Sequence, residues 1–125
     1  MSEHRLLIID DHPHFGQLIG DVAETAGFAI VVTQHVDEFL EHLDRFRPTA
    51  ITVDLLMPEV DGIELLRELA LREIRAKILV SSGADKRMLS AAAELGVEMG
   101  LLIRGVIAKP LRAAELRIQL EKLKD

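Results

Sequence analysis

The sequence predicts an α/β fold: a doubly wound, five-stranded parallel sheet with helices on both faces. Three observations carry this. Short apolar runs alternate with amphipathic segments along the whole chain. The runs are continuous rather than alternately apolar and polar, as strands covered on both faces are. Gly and Pro punctuate the joins between them.

The elements follow in order. "RLLIID" (5–10) reads as the first strand, ending in acid. Pro13 suits the first turn of a helix, where its missing N–H costs nothing. Phe15, Leu18, Ile19, Val22 and Ala26 keep helical spacing, and Gly27 is the natural stop. "FAIVVT" (28–33) is the second strand, and Val36, Leu40 and Leu43 mark a second helix that Pro48 ends. "AITVD" (50–54) is the third strand, again finishing in acid. "MPEVDG" (57–62) is turn chemistry, and Ile63, Leu66 and Ala70 open the third helix.

"KILVS" (77–81) is the fourth strand, followed by Ser82-Gly83. The fourth helix starts near Lys86. Leu89, Ala92, Ala93, Gly96 and Met99 keep its spacing, so Gly100 is the expected stop. Gly96 is then tolerated inside the helix at a cost of about 1 kcal/mol. A fifth strand lies within 102–108, and Leu116, Leu120 and Leu123 line one face of the last helix. Five such alternations give a parallel sheet with right-handed crossovers. Ligands of such sheets bind outside the carboxyl ends of the strands.

Composition narrows the function classes. The 125 residues suit one domain over 1–125, either whole or the first part of a longer protein. Hydrophobic residues make up 49% and charged residues 29%, an ordinary globular balance. The net charge of -6 argues against direct nucleic-acid binding, which needs clustered Lys and Arg. Without cysteine there are no disulfides and no Cys-based zinc sites. No apolar run approaches the roughly 20 residues of a membrane span, and "MSEHRLL" is not a signal peptide, so a cytoplasmic protein is expected.

The alternation also groups residues that are far apart in the chain. Asp10 and Asp11 follow the first strand, Asp54 the third, Ser82 the fourth and Lys109 the fifth. All therefore share one edge of the sheet. Three carboxylates at one point repel each other and invite a cation. Oxygen-only donors favour a hard ion such as Mg²⁺. A cation, an ammonium and a hydroxyl beside an Asp nucleophile suit phosphoryl transfer to an acyl phosphate. Asp11 could also cap the following helix. His12 and His14 read as loop and helix-start residues, and His4, His35 and His42 as surface residues.

"LLIIDDHPHF", "VDLLMPEVDGIELL", "ILVSSGAD" and "GVIAKPL" together resemble the signature segments of response-regulator receiver domains of two-component signalling, over the whole chain. The resemblance implies a flavodoxin-like strand order 2-1-3-4-5. It implies Asp54 as phosphoacceptor, with Mg²⁺ held by Asp11 directly, by Asp10 mainly through water, by Asp54, and by the Leu56 backbone carbonyl. Ser82 and the Gly83 N–H would bind the phosphoryl oxygens. Lys109 would pair with Asp54 and then with the phosphoryl group, aimed by a cis Lys109-Pro110 bond. Pro58 and Gly62 would shape the loop after the phosphoacceptor. The implied donor is a sensor histidine kinase or a phosphotransfer protein. The implied target is an output domain or a downstream protein, reached through the face of the fourth helix, fifth strand and fifth helix, also a candidate homodimer surface. No nucleic acid or membrane contact is implied. Nor is enzymatic turnover, beyond the domain's own phosphoryl transfer and slow self-dephosphorylation.

Two features depart from the family pattern. Val106 stands where the family carries Tyr or Phe, so Ser82 and Val106 are expected to switch with a smaller change in buried area. The Ser82–Lys109 spacing is longer by more than one helical turn. "LSAAAELGVEMGLLIRGVIAKPL" resembles receivers that precede EAL-type cyclic-di-GMP phosphodiesterase domains. Two rivals use related chemistry. A metal-dependent phosphohydrolase shares the Asp, Lys and Mg²⁺, but usually has a second acid two positions after the nucleophile, where Leu56 stands. An interaction domain that ignores phosphorylation would keep the fold without needing the full acid–Ser–Lys set.

Overall fold

The computed structural model describes residues 3–58, 60–83 and 85–124. Its elements are β1 (Arg5–Ile9), α1 (Pro13–Thr25), β2 (Ala29–Thr33), α2 (Val36–Arg45), β3 (Ala50–Asp54), β4 (Leu56–Met57), β5 (Val60–Asp61), α3 (Gly62–Leu71), β6 (Lys77–Ser82), α4 (Lys86–Glu98), β7 (Leu102–Ala108) and α5 (Ala113–Glu121). The main sheet has five strands in the order β2-β1-β3-β6-β7, all parallel. This is the expected 2-1-3-4-5 order once the short β4–β5 pair is set aside. That antiparallel pair, Leu56↔Asp61 and Met57↔Val60, lies where only a turn was expected. Glu59, in the same expected turn, is outside the described residues, as are the ends of the expected 1–125 domain at 1, 2 and 125.

Strand alternation divides the core in two. Leu7, Ile9, Ile51, Val53, Ile78 and Val80 face α2, α3 and α4, meeting Phe39, Leu66 and Leu89. Leu6, Ile8 and Leu79 face α1 and α5, meeting Ile19, Ala23, Leu116 and Leu120. β1 and β3 are buried almost completely on both faces, which is why their sequences read as unbroken apolar runs. Each fully buried Leu or Ile contributes about 1.5–3 kcal/mol, so this centre rigidly holds the strand ends above it.

The helix ends follow local rules. Pro13 opens α1 at its first turn. Asp61 caps α3, accepting the N–H groups of Ile63 at 2.9 Å and Glu64 at 3.3 Å. Asp85 caps α4 through the Arg87 N–H at 2.7 Å. α4 runs past Gly96, and Gly100, with φ at +94°, follows its end. Gly96 is more than tolerated. A Cβ there would stand 3.0 Å from the Ile103 side chain, so the missing side chain lets α4 lie close on β7. β6 extends one residue beyond expectation and includes Ser82. Among the described residues no helix is long and apolar enough to cross a membrane.

Candidate functional site

The carboxyl ends of β1, β3, β6 and β7 bring the predicted acids and the lysine together. Asp10 directly follows β1, its N–H donated to Thr33 O at 3.1 Å. Asp54 is the last residue of β3. Both are buried, at 0% and 1% exposure, although their types belong in water. Lys109 follows β7. Its N–H donates to Ser82 O at 3.0 Å, and the Lys109-Pro110 peptide is cis, as expected.

The Lys109 ammonium lies 2.9 Å from Asp10 Oδ2 and 3.4 Å from Asp54 Oδ2. It therefore bridges the two acids rather than serving Asp54 alone. It also stands 4.5 Å from the centre of the Phe15 ring, a cation–π contact that sequence reasoning missed. Asp10 Oδ1 accepts the His12 N–H at 2.8 Å, and Asp54 Oδ1 accepts the Leu56 N–H at 3.1 Å. Asp11 is only partly buried, and His12 Nδ1 stands 3.1 Å from its Oδ1. His12 is indeed a helix-start residue, preceding α1, but its ring also joins the acids.

Burial raises the Asp54 carboxyl from 3.8 to about 6. The Leu56 N–H opposes this, the Asp10 charge adds to it, Lys109 opposes it, and Asp11 adds again. Three buried oxygens accept no well-aligned hydrogen bond and are met by cationic or imidazole groups instead, Asp10 Oδ2 and Asp54 Oδ2 by Lys109 and Asp11 Oδ1 by His12. Ligand atoms of Asp10, Asp11, His12 and Asp54 lie within 4.8 Å of one another. Three acids against one lysine leave excess negative charge, so a divalent cation fits this donor set.

A cavity of about 490 Å³ opens over Asp54, lined by Phe15, Leu18, Leu56, Gly83, Lys109 and the start of α1. A Cβ on Gly83 would touch nothing, so its backbone is approachable. Ser82 does not line this cavity. It lines a neighbouring one of about 300 Å³ between α3 and α4, which shares Leu56. Alternation explains the difference. Ser81, not Ser82, is the register partner of Asp54, while Ser82 pairs with Ala108. Val106 is half-buried on the same face as Ala108, against the α4 side of the core.

The loop after Asp54 is held tightly. A Cβ on Gly62 would lie 2.7 Å from Leu55 O and 2.8 Å from Leu55 Cα, so glycine is required there. Pro58 is exposed beside it. Of the remaining histidines, His14 is a helix-start residue as expected, in the first turn of α1, and His35 is exposed as expected. His4 and His42, both expected as surface residues, are half-buried, and His4 packs on the Phe28 ring at 5.6 Å.

This arrangement has known relatives. The family model described as the response regulator receiver domain matches residues 6–121. The chain belongs to that family. It is 31% identical to the chemotaxis protein CheY of Bacillus subtilis over 116 residues, covering 88% of each. A response regulator structure from Colwellia psychrerythraea is similar over 98% of each chain, at 30% identity and a TM-score of 0.81. A response regulator structure from Burkholderia pseudomallei, with a phosphorylated aspartic acid, a calcium ion and citrate, matches 94% of this chain and 66% of its own. It is 27% identical, with a TM-score of 0.77. The receiver domain of this chain is thus a signalling module of two-component systems.

Proposed function

We propose that this receiver accepts a phosphoryl group on Asp54 from a histidine kinase or phosphotransfer protein and switches a partner or output domain. The observation that carries this is the setting of Asp54: buried, flanked by Asp10 and Lys109, and open to a cavity above. An oxygen of Asp54 attacks the phosphorus of a phosphohistidine. The P–N bond breaks, its electrons stay on the imidazole, and an acyl phosphate forms. Bound Mg²⁺ supplies charge neutralisation for the phosphoryl oxygens.

Asp11, Asp54 and the Leu56 carbonyl are its proposed direct ligands. Asp10 acts through water, because its Oδ1 already accepts the His12 N–H and its Oδ2 faces Lys109. Lys109 then turns to the phosphoryl group. Ser82 and the Gly83 N–H bind its other oxygens. For Ser82 this requires movement from the α3–α4 cavity toward Asp54, and Val106, on the same face of the sheet, follows. That movement changes the α4–β7–α5 face, which presents the switched state to its partner or to a second copy. The phosphorylated aspartic acid in the Burkholderia relative supports the reading. A cytoplasmic location goes with it.

Beryllofluoride with Mg²⁺ tests the switch. Amide shifts at Ser82, Gly83 and Val106 are expected in the wild type and not in Asp54→Ala. The same shifts in both proteins would count against Asp54 as the acceptor.

A further inference from the structure

The Lys109 ammonium is shared by Asp10 Oδ2 at 2.9 Å, Asp54 Oδ2 at 3.4 Å and the face of the Phe15 ring, 4.5 Å from its centre. Phe15, Asp54 and Lys109 line the cavity of about 490 Å³ where a phosphoryl group on Asp54 would stand, and Asp10 does not. Asp10 therefore pulls the ammonium inward, and the ring pulls it toward the cavity. The lysine side chain is only 14% exposed, so little water competes for its charge. Such desolvation strengthens the attraction of a cation to the negative face of an aromatic ring.

The start of α1 puts the ring there. Pro13 opens the helix, and Phe15 follows in its first turn. The adjacent Gly16 is buried, and a Cβ on it would stand 3.2 Å from Val32 Cγ1 and 3.6 Å from Asp10 Cβ. Without that atom the helix lies close on β1 and β2, within reach of the ammonium. Phe15 also packs against the α1 and α5 side of the core, a task that any apolar side chain of similar size performs.

We propose that Phe15 is a positioning residue, whose ring face draws the Lys109 ammonium from Asp10 toward the cavity and steadies it on the phosphoryl group of Asp54. The inference rests on the receiver reading for the presence of that group. In the empty site Asp10 is the stronger partner. Once the group arrives, the ammonium moves outward, the ring contact tightens, and this difference favours the modified state.

Beryllofluoride with Mg²⁺ is the probe, titrated into wild type, Phe15→Leu and proteins with one, two or three fluorines on the ring of Phe15. Fluorine keeps the shape of the ring and drains the negative charge from its face. Beryllofluoride affinity should fall stepwise along the fluorine series, and by about three- to tenfold in Phe15→Leu. Affinity for Mg²⁺ alone should change by less than about twofold, because that ion takes oxygen ligands and Phe15 offers none. A flat fluorine series, even with a loss in Phe15→Leu, means packing alone; it overturns the inference and leaves the receiver reading in place. Equal losses of Mg²⁺ and beryllofluoride affinity put the effect at the metal seat and also overturn it. A wild type that binds no beryllofluoride overturns the receiver reading, and the inference with it.

Discussion

Lys109 Nζ lies 2.9 Å from Asp10 Oδ2, closer than to Asp54, the residue it is proposed to serve in signalling. At rest the ammonium therefore acts as the resident counter-ion of the buried acids, with the Phe15 ring beside it. Lys109→Ala leaves these carboxylates uncompensated and should destabilise the domain by about 2–4 kcal/mol. The loss should shrink on adding Mg²⁺, which supplies the missing positive charge. Urea denaturation with and without Mg²⁺ measures both effects. An Mg²⁺-independent loss would contradict the counter-ion role.

The Asp54 carboxyl, raised to about 6, gives stability a definite pH dependence. In the window between 3.8 and about 6 the folded state holds a proton that the unfolded state has released. This contribution favours folding at low pH and is lost as pH rises through the folded value. Stability of wild type relative to Asp54→Asn should therefore fall across that window and level off above it. The total fall should be about 1–3 kcal/mol. Paired denaturation curves across pH check it, and a rise with pH would reverse the assignment.

Gly62 cannot carry a side chain without moving the Leu55 backbone. Gly62→Ala should cost about 1–3 kcal/mol and displace the segment that follows Asp54. Its signature should be lower Mg²⁺ affinity together with lower thermal stability. Asp61→Ala is the comparison. It removes only the α3 cap, at about 1 kcal/mol, and should leave Mg²⁺ affinity nearly unchanged.

The receiver reading also orders the two acids. Asp10 has both oxygens engaged, by the His12 N–H and by Lys109, whereas Asp11 is partly exposed beside His12. Asp11→Ala should therefore weaken Mg²⁺ binding more than Asp10→Ala does. Calorimetry of the two variants measures this, and the reverse order would count against Asp11 as the direct ligand.

Sequence periodicity carried most of the fold because burial on both faces leaves continuous apolar runs, as in Leu6–Ile9 and Ile51–Val53. The shared site edge follows from strand direction alone, because parallel strands put Asp10, Asp54 and Lys109 at the same end of the sheet. What escaped notice depends on side-chain direction. The cavity that Ser82 lines is set by alternation along β6, which puts Ser82 on the face of Ile78 and Val80 and its neighbour Ser81 on the face of Asp54. The β4–β5 pair is too short to leave a periodic signal. The His12 ring meets Asp11, and Phe15 meets Lys109, only through the way α1 begins. A proline following a histidine beside paired acids was the available clue for His12.

The central claim is that Asp54 is the acceptor in a cation-dependent transfer. Intact-mass measurement after incubation with acetyl phosphate and Mg²⁺ tests it most directly. Wild type should gain one phosphoryl group, and should not do so with Mg²⁺ removed or in Asp54→Asn. Equal labelling of wild type and Asp54→Asn would contradict the account.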